Sequence, residues 1–326
     1  MNDSVCVSVV CVTYNHEKYI KTALDGFVNQ KTDFKYEVII YDDASTDSTA
    51  KIIAEYEKAY PDIIKPIYQK VNTYGQPDRW YKYILPCVNG KYIALCEGDD
   101  YWIDENKLQK QYDFINSHSD CSAVVHKAKR YYEANGYFEE YYKFDFNDDK
   151  PHLLTTEFVF ENNSSFPYNS LFFDRKFYDV NKDYFMKNIP FDYVIKILLA
   201  TMGNIYLLPD CMSVYRKGTN GSWTNRISTD NQKYIEHFTK SLSYLRNADV
   251  HTGYRFSSLF EKEILSRKFR IEILKGNKKV IFDKKYKELY KSFPLKQRLS
   301  IVSGLYLPQF KAFLKKLKHK LLKRKR

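Results

Sequence analysis

The chain has 326 residues, 44% of them apolar and 17% aromatic with 30 Tyr and 22 Phe, which excludes wholesale disorder and leaves room for one large domain or two ordinary ones. Its net charge of +12 belongs to one end: residues 275–326 carry 18 Lys or Arg against Asp283 and Glu288, so residues 1–274 sum to −4. That distribution argues against a nucleic-acid partner and confines any polyanion or membrane contact to the C-terminal end.

The first element is VCVSVVCV (residues 5–12), a β-branched run that stops at Thr13, Tyr14 and Asn15 as a buried parallel strand does on meeting a loop. The run is too short to span a bilayer, and no basic segment precedes it, so a cytoplasmic location is expected. Ile20, Leu24, Phe27 and Val28 then share one helical face. YEVIIYDD (36–43) repeats the plan: an apolar strand breaks at Asp42 and Asp43, and Ser45, Thr46 and Asp47 offer N-caps to a helix carrying Ile52, Ile53 and Tyr56. A strand at 64–69, a short helix near 80–88 and the strand KYIALC (91–96) continue the alternation. The pattern predicts an α/β fold, a Rossmann-like, mainly parallel sheet with helices on both faces.

Beyond it, NKLQKQYDFINSH reads as helix and CSAVVHKAKRYY as strand, whereas residues 133–165 lack periodicity and are expected to form loops and irregular strands along a substrate cleft. A helix is expected at Tyr193–Met202 behind Asp192, then a strand IYLLP, a loop YRKGTNGSW, and helices from Ser228 on. Cys6, Cys11, Cys87, Cys96, Cys121 and Cys211 are scattered without CxxC spacing, which suits free, mostly buried thiols.

Ligands of an open parallel sheet bind beyond the carboxyl ends of its strands. Three polar clusters stand there: Tyr14 with Asn15, Asp42 with Asp43, and Glu97, Asp99 and Asp100 around Gly98. Two like charges about 4 Å apart repel by roughly 4 kcal/mol at an effective dielectric near 20, so the last cluster calls for solvent, protons or a cation. Neither GxGxxG nor GxxxxGK[ST] is present, which removes backbone cradling of a phosphate; carboxylate-held Mg²⁺ or Mn²⁺ suits a diphosphate instead.

VSVVCVTYNHEKYIKTALDGFVNQ, EVIIYDDASTDSTAKII and GKYIALCEGDDYWIDENKLQKQ, in that order over roughly the first 130 residues, resemble the successive signatures of the family 2 inverting glycosyltransferases; FPYNSLFF, IPFDYVIKILLA and YRKGTNGSW are shorter matches. The resemblance implies a GT-A fold over residues 1–227, with a nucleotide-sugar half to about residue 130 and an acceptor half from about 131, followed by a helical extension over 228–326. It implies a nucleotide-sugar donor, a UDP-sugar above all, contacted by Thr13, Tyr14, Asn15 and Asp43, with Asp43 accepting from the uracil NH. Asp99 would approach the ribose or the metal, Asp100 would join it in holding Mg²⁺ or Mn²⁺, and Glu97 would act on the donor through water or by supporting its neighbours. Asp192 would be the general base, where its bland reading is a helix N-cap. The acceptor would be a glycan or lipid-linked hydroxyl in surface-polysaccharide assembly.

The chain departs from the family in reading Tyr215, Arg216, Lys217, Gly218 where relatives often carry Tyr-Arg-x-His. Arg216 or Lys217 can replace the histidine as a cation and Trp223 can cover the site, or the segment is an ordinary loop. Phe310, Phe313, Leu314, Leu317 and Leu321 among lysines form a basic amphipathic pattern over 308–326, which fits an anionic membrane surface or docking on its own domain. A nucleotidyltransferase on a similar scaffold, and a catalytically inactive membrane- or polyanion-binding protein, are the competing functional readings.

Overall fold

A computed structural model describes residues 4–142, 148–162, 166–189, 191–219 and 230–307. Its centre is a sheet in the order β3-β2-β1-β4-β9-β6-β10-β5, formed by β1 (Val7–Thr13), β2 (Tyr36–Asp42), β3 (Ile64–Tyr68), β4 (Tyr92–Leu95), β5 (Tyr101–Trp102), β6 (Cys121–Tyr132), β9 (Phe172–Asp174) and β10 (Asn204–Lys217). β7 (Tyr137–Glu140) pairs with β6, and β8 (His152–Leu154) with β10. β1 lies between β2 and β4, parallel to both, so that Val9 has Val38 on one side and Ala94 on the other. Covered on both faces, these strands need the unbroken apolar runs the sequence supplies.

Helices α1 (Ile20–Val28) and α2 (Thr49–Ala59) follow β1 and β2 as expected, burying Ile20, Leu24, Phe27 and Ile53 against the sheet. α3 (Lys107–Ser117) and β6 also fall where the periodicity put them. The expected helix near 80–88 is a π-helical turn (Trp80–Ile84) and a 3-10 turn (Leu85–Cys87). The whole sheet is mixed, because β9 runs antiparallel to both β4 and β6. Three residues of FFD carry too short a pattern to announce a strand.

Two other segments differ from expectation. Residues 133–165 contain β7, β8 and α4 (Thr156–Glu161), the last opened by Thr155, whose side chain accepts from Phe158 N. Tyr215, Arg216 and Lys217 extend β10, paired with Arg130, Tyr131 and Tyr132 of β6. The strand survives Pro209, which has no N–H to give, because its register with β6 shifts between Leu208 and Cys211. Further along the acceptor half lie α5 (Lys176–Val180), α6 (Lys182–Phe185) and α7 (Asp192–Met202).

The chain divides into two compact units, Met1–Asn225 with Val250–Tyr254, and Arg226–Asp249 with Arg255–Arg326. Across the second part run α8 (Asn231–His251), α9 (Ser257–Leu274), α10 (Lys287–Ser292) and α11 (Leu295–Tyr306). The second unit has its own small apolar cluster of Phe269, Val280, Tyr286 and Leu305. All six cysteines are free; Cys11 and Cys96 are buried and Cys87 is exposed. Trp223 and residues 308–326, with the amphipathic pattern, lie outside the described residues.

Candidate active site

The carboxyl ends of β1, β2 and β4 bring the three polar clusters to one edge of the sheet. Asn15, in a left-handed conformation with φ 57°, accepts from Thr46 N through its side chain at 2.7 Å, while its own N–H donates to Ser45 at 2.9 Å. Asn15 therefore ties the loop after β1 to the loop after β2. Tyr14 beside it is exposed. Thr13 is buried, and its hydroxyl has no partner among the described residues.

Asp43 is buried and heavily engaged. Its Oδ1 accepts from the backbone N–H and the hydroxyl of Thr73, both at 2.7 Å, and its Oδ2 lies 3.6 Å from Arg79. Oδ2 is the edge left by the Thr73 contacts, and it faces Arg79, a residue no sequence signal singled out. Asp42 is capped by the Ser45 hydroxyl and turned away from solvent.

The chain turns sharply after β4, with Asp100 N donating to Glu97 O at 3.0 Å. Gly98 permits the turn to press on β1: a Cβ there would lie 2.6 Å from Thr13 Oγ1 and 3.0 Å from His16 Nδ1. The three acids then separate in role. Glu97 reaches solvent, yet protein surrounds most of its carboxyl; that lost hydration, followed by the charges of Asp99 and Asp192, pushes its pKa up to about 8. Asp99 is half-buried, with Oδ2 accepting from the Thr219 hydroxyl at 2.8 Å.

Asp100 differs from both. It is 1% exposed, its Oδ1 accepts from Arg216 N at 2.8 Å and its Oδ2 from Asn169 Nδ2 at 3.0 Å. Burial, then Asp99 and Glu97, push its pKa up, while the Arg216 N–H and charge pull it down. With each oxygen held by an N–H, Asp100 is placed to fasten β5, β10 and the segment before β9 together. Each oxygen accepts one N–H and keeps a second lone-pair direction for a further partner.

Asn169 is fully buried and uses both ends of its amide, donating also to Val214 O at 3.1 Å and accepting from the Ser213 hydroxyl at 2.8 Å. Arg216 is similarly committed. Its guanidinium lies 4.3 Å from the centre of the Tyr101 ring and 5.3 Å from that of Tyr19, donates to Asp99 O at 2.9 Å and sits 3.6 Å from Glu133. The guanidinium expected as a cation for a leaving diphosphate braces the backbone carbonyl of Asp99 with one of its N–H groups. Beside it opens a cavity of about 730 Å³ lined by Tyr19, Tyr101, Tyr131, Phe138, Glu133 and Arg216 among others.

Asp192 is the first residue of α7. Its Oδ1 accepts from Tyr193 N at 2.7 Å, its Oδ2 lies 3.4 Å from Lys196 Nζ, and its side chain remains 57% exposed. Lys196 itself is buried, donating to Phe166 O at 2.8 Å. The charge of Asp192 reaches Glu97 as well as Tyr168 and Tyr141, which puts the N-terminus of α7 within electrostatic range of the turn after β4. Among the described residues, no group of three or more His, Cys, Asp or Glu is gathered to hold a metal ion. Glu97 and Asp99 still offer the hard oxygen donors that Mg²⁺ or Mn²⁺ prefers, and their crowding is what a cation would relieve.

A family model described as glycosyl transferase family 2 matches residues 8–179. The chain belongs to that family. An uncharacterised protein of Mycobacterium tuberculosis is 37% identical over 235 residues, 71% of this chain and 64% of its own length, so the chain spans under two-thirds of that relative. A poly(ribitol-phosphate) beta-glucosyltransferase of Bacillus spizizenii is 37% identical over 111 residues, 33% of this chain and 17% of its own. Among solved structures, Staphylococcus aureus TarS residues 1–349 with UDP-GlcNAc superimposes with a TM-score of 0.58 at 18% identity, covering 92% of this chain and 80% of that one. The Pyrobaculum calidifontis mannosyltransferase PcManGT, with GDP-Man and Mn²⁺, gives 0.51 at 15%, covering 94% and 88%. Likeness at these identities establishes the shared GT-A fold.

Proposed function

We propose that the chain is a metal-dependent inverting glycosyltransferase that moves a sugar from a nucleotide-diphosphate donor, a UDP-sugar first, to a hydroxyl of a glycan or lipid-linked acceptor in surface-polysaccharide assembly at the cytoplasmic face of the membrane. The observation that carries the reading is the exposed carboxylate of Asp192 at the start of α7, within electrostatic range of the acids after β4. The solved structures of TarS with UDP-GlcNAc and of PcManGT with GDP-Man and Mn²⁺ support donor class and metal. The relatives that act on poly(ribitol-phosphate) support the polymer setting.

Thr13, Tyr14 and the Asp43–Arg79 edge would hold the nucleoside. Asp99 and Asp100, with Glu97 beside them, would hold the divalent cation, which when bound stabilises negative charge on the departing diphosphate. Asp192 takes the proton of the acceptor hydroxyl as that oxygen bonds to the anomeric carbon and the bond from carbon to the diphosphate oxygen breaks, releasing a nucleoside diphosphate. A single displacement from the opposite face inverts the anomeric configuration. Tyr193 N and Lys196 fix the carboxylate's direction, and the aromatic walls of the cavity beside Arg216 suit the apolar faces of acceptor sugar rings.

Calorimetric titration with UDP and GDP, with and without Mn²⁺, tests the donor half: Mn²⁺-dependent binding of UDP is expected, and no binding under any metal condition overturns the reading. Asp192→Asn tests the base. Turnover should fall by about 10² to 10⁴ with UDP affinity unchanged; wild-type turnover would remove Asp192 from the mechanism.

A further inference from the structure

Helix α11 in the second unit has two apolar faces, and its fold uses only one. Ile301 and Leu305 pack into the unit's own cluster of Phe269, Val280 and Tyr286. Leu295, Leu299, Val302 and Tyr306 recur at i, i+4, i+7 and i+11, a single stripe along a helix about 18 Å long. Leu295 is 64% exposed, Leu299 60%, Tyr306 41% and the following Leu307 56%. A packed domain gains nothing by turning such a stripe to water, so the stripe calls for a second apolar medium.

The surroundings of the stripe choose that medium. The Tyr306 hydroxyl donates to Lys278 O at 3.0 Å, which brings the C-terminal end of the stripe up to the lysine-rich segment Lys278–Tyr286. Phe282 in that segment is 75% exposed. Residues 275–307 carry nine Lys or Arg against Asp283 and Glu288, a net +7. A second copy of the chain would bring a like charge to the same face and be repelled. An anionic lipid surface supplies both the apolar layer and the opposite charge. No helix among the described residues is long and apolar enough to cross a membrane, so the contact lies in the plane of the interface.

We infer that the exposed α11 stripe, with Phe282 and the flanking lysines, is a docking surface for an anionic lipid bilayer. It is distinct from the amphipathic pattern over 308–326 and independent of the donor chemistry proposed above. Docking here would hold the enzyme where lipid-linked acceptors are, using leucines and an aromatic ring for depth and lysines for the headgroup phosphates.

The full chain carrying Leu295→Glu and Leu299→Glu, with residues 308–326 left in place, tests the surface by flotation with vesicles of phosphatidylglycerol and phosphatidylcholine in equal parts, against pure phosphatidylcholine. The wild type should partition at least tenfold better onto the anionic vesicles, and the double variant should lose at least tenfold of that. Circular dichroism and melting temperature check that the variant is folded, and Phe282→Ser, outside every helix contact named here, gives an independent second reading with the same direction. Wild-type binding by the folded double variant overturns the proposal and assigns the membrane contact elsewhere. A wild-type dimer that the double variant splits in sedimentation overturns it in favour of self-association.

Discussion

Replacing Asn169 with alanine should loosen the site from behind without touching any group that meets substrate. The amide makes three buried contacts, to Asp100 Oδ2 at 3.0 Å, to Val214 O at 3.1 Å and from the Ser213 hydroxyl at 2.8 Å. A buried hydrogen bond is worth about 0.5–1.5 kcal/mol, and up to about 3 where the carboxyl is charged. Leaving buried partners unsatisfied adds to that loss, although the small cavity left behind can admit a water that recovers part of it. A net cost of about 3–5 kcal/mol follows, which for a unit of roughly 230 residues lowers the melting temperature by about 10 °C. Thermal melts by circular dichroism read this directly. A double-mutant cycle with Asp100→Asn isolates the pair, with a coupling of at least about 1 kcal/mol expected. If Asn169→Ala melts within a degree or two of wild type, or the cycle shows no coupling, Asp100 is not fastened as described.

Much of this site was legible in the sequence because its acids follow strands that announce themselves. The apolar runs of β1, β2 and β4 end at Thr13, Asp42 and Leu95, and parallel pairing of three such strands forces their carboxyl ends together. What the sequence hid is how neighbouring carboxylates divide their work. Glu97, Asp99 and Asp100 look alike along the chain, but Asp100 is set apart by Asn169 and by Arg216 N, which stand 69 and 116 residues away. Pairing at that separation is decided by tertiary contacts. The setting of Arg216 was hidden for a related reason: YRKG reads as a loop by its composition, while the pairing of Tyr215–Lys217 with the far end of β6 makes it strand and brings the guanidinium to Asp99 O. The short strand β9 and helix α4 were missed because three to six residues are too few for a period to show.

Gly98→Ala should collapse the turn after β4, since the new methyl carbon would lie 2.6 Å from Thr13 Oγ1 and 2.8 Å from Thr13 Cβ; loss of Mn²⁺-dependent UDP binding is expected by calorimetry, and wild-type affinity would show that the turn is free to move. Lys107, at the first position of α3, gives a stability test that varies with pH. It is fully buried, 3.9 Å above the Trp102 ring, with its ammonium donating to Gln111 Oε1 at 2.6 Å, and burial lowers its pKa from 10.5 to about 7. Between those values the unfolded chain binds the proton that the folded chain has released, so folding stability rises with pH, at up to about 1.4 kcal/mol per unit. The gain from pH 7 to pH 8.5 is about 2 kcal/mol, and below pH 7 the folded protein bears the full cost of a buried ammonium. Lys107→Met keeps the length and the contact with the ring but has no proton to lose. Its stability curve, from urea unfolding at several pH values, should lack this rise and lie above the wild type at pH 6, where relief of a penalty of about 5 kcal/mol outweighs the lost bond to Gln111, worth about 1–3 kcal/mol. Two curves that run parallel from pH 6 to pH 8.5 would mean that Lys107 stays charged in the fold, stabilised by the Trp102 face and the Gln111 oxygen more strongly than its burial opposes.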